Sequence, residues 1–283
     1  MSKVKVFADS TCDLPREWLR DYDIGLIPLY VTFGDKTYKD GLDITTPQLY
    51  AEVDKTGSLP KTAAPSPADF IQAFSPSIEE GRDIVYISLS SELSSTYQNA
   101  VIAAEEFPKG KITVIDSLNL STGIGLQVMK AVKAAEQGMS PQEIAALIEH
   151  IKPLVETEFV IDSLDYLYKG GRCSGMQNLV GSLLKIRPVI KVIDGKMTPA
   201  YKVRGKREKA LEQMLSNALE KRDHMDNDLI FVTHSLAEED ARKLKHILEE
   251  KTRAREVAVS DAGCVISSHC GAKTIGILYV KKE

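Results

Sequence analysis

The sequence predicts an α/β fold in two parts, and three observations carry the prediction. Over the first 150 residues, short apolar runs alternate with helix-patterned segments, which implies a parallel sheet covered by helices on both faces. After about residue 155 the pattern changes. A hairpin signal, Asp194-Gly195, stands between two strand-like runs, so antiparallel and parallel pairing mix there. No Gly/Ser linker or low-complexity run separates the halves, so they are expected to share an interface, with a cleft as the natural site. We therefore expect an N-terminal α/β domain over 1–155 and a C-terminal mixed α/β domain over 156–283.

The elements follow in order. Residues 4–8 read as a strand. Asp13 then reads as a helix cap, with Pro15 in the first turn and Glu17 after it. Residues 25–33 form a second strand whose Pro28 marks an edge or an interruption. Thr45 and Pro47 open a helix. Strands at 83–88 and 111–116 precede helices at 97–107 and 123–137. Ser140-Pro141-Gln142-Glu143 is a capping box with proline at the first helical position, launching 144–151. In the second half, 159–161 is a short strand and 163–169 leads into Gly170-Gly171-Arg172. Residues 188–193 and 197–203 flank the hairpin, helices follow at 207–222 and 238–250, and strands at 228–233, 255–260 and 274–280.

Composition narrows the classes. The chain has 283 residues, 43% of them hydrophobic, enough for an ordinary core. Its 36 Lys+Arg against 40 Asp+Glu leave a net charge of −4, against the basic excess of a dedicated nucleic-acid binder. Every apolar run is broken well short of the roughly 20 residues needed to span a bilayer. Asp9 comes too early for a secretory signal. A cytoplasmic protein with no integral membrane segment is the expectation. Cys12, Cys173, Cys264 and Cys270 include no C-x-x-C pair and read as free thiols.

Several chemical motifs are missing. Gly123-x-Gly125 begins a dinucleotide fingerprint, but Val128 occupies its third small position, and no P-loop exists. The five histidines form no H-E-x-x-H. His150 and His246 sit in amphipathic patterns, whereas His234 ends a strand and faces a possible cleft; no metal or cofactor is expected. The hydroxyl-rich stretch 88–97 follows a strand and precedes a helix, where free helix N–H groups gather. It reads as a capping loop, an anion cradle or, with a histidine, a nucleophile; the G-x-S-x-G elbow is absent. In 59–70, Ser66 caps a helix with Pro67 at its first position, and three prolines stiffen the approach. Thr62 is left without a structural duty.

Four motifs together resemble the DegV family: Asp9-Ser10-Thr11-Cys12-Asp13-Leu14; Thr62-Ala63-Ala64-Pro65-Ser66-Pro67; Ser91-Glu92-Leu93-Ser94-Ser95-Thr96-Tyr97-Gln98-Asn99-Ala100; and Leu164-x-x-Leu167-x-Lys169-Gly170-Gly171-Arg172. Ile115-Asp116-Ser117, Lys185-Ile186-Arg187-Pro188, Lys202-Val203-Arg204 and His269-x-Gly271 extend the match in order along nearly the whole chain.

The resemblance implies a carrier rather than an enzyme. It binds a long-chain fatty acid, such as palmitate, stearate or oleate, between the two domains. It also implies a partner, the ATP-binding subunit of a fatty acid kinase, to which the carboxylate is presented for acyl-phosphate formation. The family's carboxylate-binding positions fall on Thr62 and Ser94, with Ser95 beside them and His269 nearby. Its kinase-docking arginine falls on Arg204. The chain departs from the family pattern at Ala63 and Ala64, at Ser95 where glycine is usual, and at Gly271-Ala272-Lys273, where Lys273 is expected to bring a charge near the head group. The alternative is a Ser/His lipid-ester hydrolase using Ser94 and His269; a nucleotide-binding domain is a third reading.

Overall fold

The computed structural model describes residues 3–162, 164–172 and 186–282. Ser163, Cys173 and Lys185 lie outside the described residues. The first elements are β1 (Val4–Asp9), α1 (Arg16–Asp21), β2 (Gly25–Ile27), β3 (Tyr30–Phe33), β4 (Lys36–Lys39) and α2 (Thr46–Thr56). Next come β5 (Lys61–Ala63), α3 (Pro67–Glu79), β6 (Asp83–Ser88), α4 (Thr96–Ala104), β7 (Ile112–Asp116), α5 (Thr122–Glu136) and α6 (Pro141–Ile151). Beyond these lie β8 (Val155–Val160), α7 (Leu164–Gly170), β9 (Ile186–Ile193), β10 (Lys196–Arg204) and α8 (Arg207–Glu220). The last are β11 (Met225–His234), α9 (Glu238–Lys251), β12 (Glu256–Asp261), α10 (Cys264–Cys270) and β13 (Ile275–Lys281).

The expected α/β class holds. A four-stranded parallel sheet has the order β2-β1-β6-β7, and a six-stranded mixed sheet has the order β10-β9-β8-β13-β11-β12. Alternation along each strand sends side chains to opposite faces and builds three apolar clusters. Phe7, Ile84 and Tyr86 pack on Phe70 and Phe74 of α3 and Ala100 and Ala103 of α4. Val6, Ala8, Val85 and Ile87 face the opposite side, with Ile124 and Val128 of α5 and Ile144 and Ile148 of α6. In the larger sheet, Ile230, Val232, Ile275 and Ile277 pack on Met214 of α8 and Leu244 and Leu248 of α9. Its other face, with Phe159, Phe231 and Leu278, joins the cluster around Ile124 and Ile144.

Helix α5 lies between the two large sheets, and only Lys130, Lys133 and Glu136 of its fifteen residues escape burial. A helix apolar all round is the kind that a core encloses. The glycines of the incomplete fingerprint serve this packing. A Cβ at Gly123 would fall 2.1 Å from Asn119 Oδ1, and one at Gly125 would fall 3.0 Å from the Cys12 carbonyl oxygen. The cap at Ser66 and the capping box at Ser140 form as read, each hydroxyl accepting from the N–H three residues on.

Two local expectations are corrected. The single strand over 25–33 is two strands in different sheets. Pro28 lacks the N–H a ladder needs, so β2 ends at Ile27. β3 then becomes the centre of a small antiparallel sheet, β4-β3-β5, that local patterning did not announce. Asp13 is not a helix cap: it sits at φ 49°, and α1 begins after Pro15 with no side-chain cap. Its buried carboxylate instead bridges the two halves of the chain, accepting from Ser121 Oγ at 2.5 Å in the first and from Gly263 N at 2.8 Å in the second. Asp40 does the same, accepting from Ser10 Oγ at 2.8 Å and Cys264 N at 2.7 Å. Burial pushes both carboxyls above their usual range. The pair thus holds the start of α10.

Candidate functional site

One cavity of about 450 Å³ is lined by strands of the six-stranded sheet, the loops after β6 and β7, α10 and the small sheet. Its apolar wall comes from Leu29, Leu89 and Leu120, from Val265 and Ile266 of α10, and from Phe159, Met197 and Leu278. Thr157 and Thr274 also line it, but their hydroxyl protons are committed to the protein. Thr157 donates to Asn119 Oδ1 and Thr274 to the Cys270 carbonyl, both at 2.8 Å.

The polar end is built from four segments. β5 pairs with β3, setting Thr62 opposite Val31. This is the structural duty the sequence left unassigned. The stretch after β6 turns on the buried Ser90, whose hydroxyl donates to the Gly195 carbonyl at the hairpin tip (2.8 Å) and whose own carbonyl accepts from Ser94 N (3.2 Å). Asn99 Nδ2 donates to the Pro65 carbonyl at 2.8 Å, tying α4 to the segment after Thr62. Ser94 Oγ lies 2.8 Å from Thr96 Oγ1 and accepts from Thr96 N at 3.3 Å. Ser95 occupies the cap position of α4 without a side-chain cap bond, and the dipole of the helix favours an anion there.

His269, at the end of α10, lies with Nε2 2.8 Å from Thr62 Oγ1. Its Nδ1 is buried without a partner, because the Gly170 backbone covers it; a Cβ at Gly170 would stand 2.5 Å away. Burial, with Arg172 adding to it, pushes the imidazole pKa down to about 4, so the ring is neutral near pH 7. An unpaired buried acceptor costs less than an unpaired buried N–H, which assigns the proton to Nε2. His269 then donates to Thr62, and the Thr62 hydroxyl proton is free to point into the cavity.

The structure therefore brings Thr62, Ser94, Ser95 and His269 to one cavity. His234 ends β11 and also lines it. Arg204 does not; it is exposed on β10. Lys273, expected near the head group, lies elsewhere. At φ 62° it lines a surface hollow with Arg207, which donates to its carbonyl at 2.8 Å. Among the described residues the cation at the cavity is Arg172, which the sequence offered within a motif with no role assigned to it. Ser94 and His269 bond to different partners, Thr96 and Thr62, so the nucleophile–base pair of a hydrolase is not assembled. Among the described residues no cluster of His, Cys, Asp and Glu is able to hold a metal ion, and no helix is long and apolar enough to cross a membrane.

The fold is α/β, and its cavity joins an apolar wall to a hydroxyl-bearing end. A family profile described as uncharacterised protein, DegV family, matches residues 3–282. A DegV domain-containing protein of Caldanaerobacter subterraneus subsp. tengcongensis is 32% identical over 289 residues, covering 100% of both chains. The chain belongs to the DegV family. Among solved structures, a fatty-acid-binding DegV family protein from Thermus thermophilus superposes with a TM-score of 0.91 at 31% identity, over 99% of this chain and 100% of that one. A stearic-acid-binding protein from Eubacterium ventriosum superposes with a TM-score of 0.85 at 26% identity, over 99% and 98%.

Proposed function

We propose that this protein is a non-catalytic carrier that binds a long-chain fatty acid, with palmitate, stearate and oleate as the expected ligands. The carboxylate lies at Thr62, Ser94 and His269 and the tail in the apolar chamber. The observation that carries this reading is one cavity that joins an apolar wall to the hydroxyls of Thr62 and Ser94 and to His269. The fatty-acid-binding relatives of the same fold support it. About fifteen buried CH₂ groups at ~0.8 kcal/mol each gain on the order of 10 kcal/mol, from which head-group desolvation and lost chain freedom subtract. A carboxylate without partners would be strongly disfavoured there; the Thr62 and Ser94 hydroxyls are the donors, and Arg172 supplies a nearby positive charge. Titration of the protein with palmitate and with methyl palmitate tests this arrangement. The acid binds more tightly if the donors act on a carboxylate, and equal affinities contradict it.

The finer reading is presentation of that carboxylate to the ATP-binding subunit of a fatty acid kinase. The exposed Lys202 and Arg204 of β10 and Lys206 before α8 form a basic strip outside the cavity, where the helix dipole does not favour cations. A docking role accounts for the strip. Arg204→Glu is then expected to weaken acyl-phosphate formation with the cognate kinase while leaving fatty-acid affinity unchanged. Unaltered kinase affinity in this variant removes the docking role.

A further inference from the structure

Besides Thr62, Ser94 and Ser95, five hydroxyl residues among those described line the cavity: Ser121, Thr157, Thr233, Ser235 and Thr274. Four of them spend their protons inside the protein. Ser121 donates to Asp13, Thr157 to Asn119 Oδ1 and Thr274 to the Cys270 carbonyl. Ser235 Oγ lies between the Tyr50 hydroxyl (2.7 Å) and Ser267 Oγ (2.8 Å). Ser267 gives its own proton to the Ala262 carbonyl at 3.2 Å, so it accepts from Ser235.

Thr233 differs. Its Oγ1 lies 2.5 Å from Thr122 Oγ1, and among the described residues neither hydroxyl has another partner. One bond between two hydroxyls uses one proton of the two. Thr122 opens α5, is 0% exposed and takes no part in the cavity wall, so Thr233 is the acceptor within its reach. Thr122 therefore donates, and the Thr233 proton is left over. Thr233 is 6% exposed and faces the cavity, so that proton meets whatever fills it. A saturated tail offers it no acceptor, and a buried hydroxyl without one is costly.

Strand register sets where this donor stands. Ser235 N donates to the Thr274 carbonyl, and Thr274 is tied to Cys270, the neighbour of His269. Thr233 pairs with Gly276, and Phe231 with Leu278. Two residues of strand advance about 7 Å, so Thr233 stands one such step from the Ser235 rung toward Leu278. That places it beside the tail rather than the carboxylate.

We propose that Thr233 recognises an oxygen carried part-way along the acyl chain, so that the ligands of this protein include mid-chain hydroxy and keto fatty acids. This rests on the fatty-acid reading above and goes beyond it by naming a chemical class of tail and the residue that selects it. A site that holds a buried donor discriminates by whether the ligand supplies the acceptor.

The test titrates stearate and a set of hydroxystearates, with the hydroxyl moved from near the carboxyl to near the methyl end, against the unaltered chain, Thr233→Val and Thr233→Ser. Circular dichroism verifies the fold. On the unaltered chain one mid-chain isomer is expected to bind within about threefold of stearate, and the others to fall by about tenfold or more, because their hydroxyls are buried unpaired. Thr233→Val has the same shape without the proton. It is expected to bring the favoured isomer down to the level of the others and to leave its stearate affinity level with, or above, that of the unaltered chain. Thr233→Ser keeps the hydroxyl and is expected to keep the preference. The ketostearate of the favoured position, an acceptor without a donor, is expected to depend on Thr233 in the same way. Equal weakening of every isomer on the unaltered chain would overturn the inference. So would a Thr233→Val variant that shifts stearate and the favoured isomer alike, or a keto acid indifferent to Thr233. An unaltered chain that binds no stearate overturns the fatty-acid reading itself.

Discussion

Replacing Thr62 and Ser94 together by alanine is expected to lower palmitate affinity by about 100-fold, from two hydrogen bonds to a charged group at ~1.5 kcal/mol or more each. Methyl palmitate serves as the internal control. It fills the same chamber without a charge, so its affinity is expected to stay nearly constant, and the preference for the acid to collapse toward one. The asymmetry arises because the two hydroxyls sit at the polar end only, whereas the tail contacts lie with Leu89, Leu120, Phe159 and Leu278. His269 gives a graded version of the same experiment. Its Nε2 bonds Thr62 rather than Ser94, so His269→Ala is expected to resemble Thr62→Ala more than Ser94→Ala. Parallel losses for the acid and the ester in the double variant would mean that the hydroxyls shape the cavity instead of binding the head group.

The second large effect concerns stability. Asp13→Ala is expected to cost about 2–4 kcal/mol, because it leaves the Ser121 hydroxyl and the Gly263 N–H buried without an acceptor. For a chain of this size that is a fall of roughly 3–7 °C in melting temperature. Asp13→Asn keeps an acceptor oxygen on a side chain of the same shape. It also removes the repulsion from Asp40, whose charge adds to the burial that raises the Asp13 carboxyl. Its cost is expected to be well below that of alanine. Because α10 carries Val265, Ile266 and His269 to the cavity, fatty-acid affinity is expected to fall with stability in Asp13→Ala. Differential scanning calorimetry of the two variants checks the order; an asparagine variant as unstable as the alanine one would show that the carboxylate charge, not its acceptor geometry, holds α10.

The sequence carried the parts of the fold that local chemistry decides. The apolar runs of β1, β6 and β7, the cap at Ser66, the capping box at Ser140, and the Asp194-Gly195 hairpin are each set within a few residues of chain. It failed where the partner is distant. Asp13 looks like a cap because Pro15 and Glu17 follow it, yet its carboxylate bonds a backbone group 250 residues away. β4 and β5 are four and three residues long, too short to show a period, and exist because β3 pairs with both. The resemblance named Thr62, Ser94, Ser95 and His269 as the proposed head-group residues, and the structure gathers them at one cavity. Their bonding was not legible: nothing local predicts that His269 faces Thr62. Nor does it predict that Arg172, rather than Lys273, stands at the cavity.

The account turns on an occupied apolar chamber. Protein purified from an expressing cell and denatured in organic solvent is expected to release close to one free long-chain fatty acid per chain, identified by mass spectrometry. A chain that releases no lipid and takes up no palmitate on titration, or that releases a nucleotide in stoichiometric amount, would contradict it.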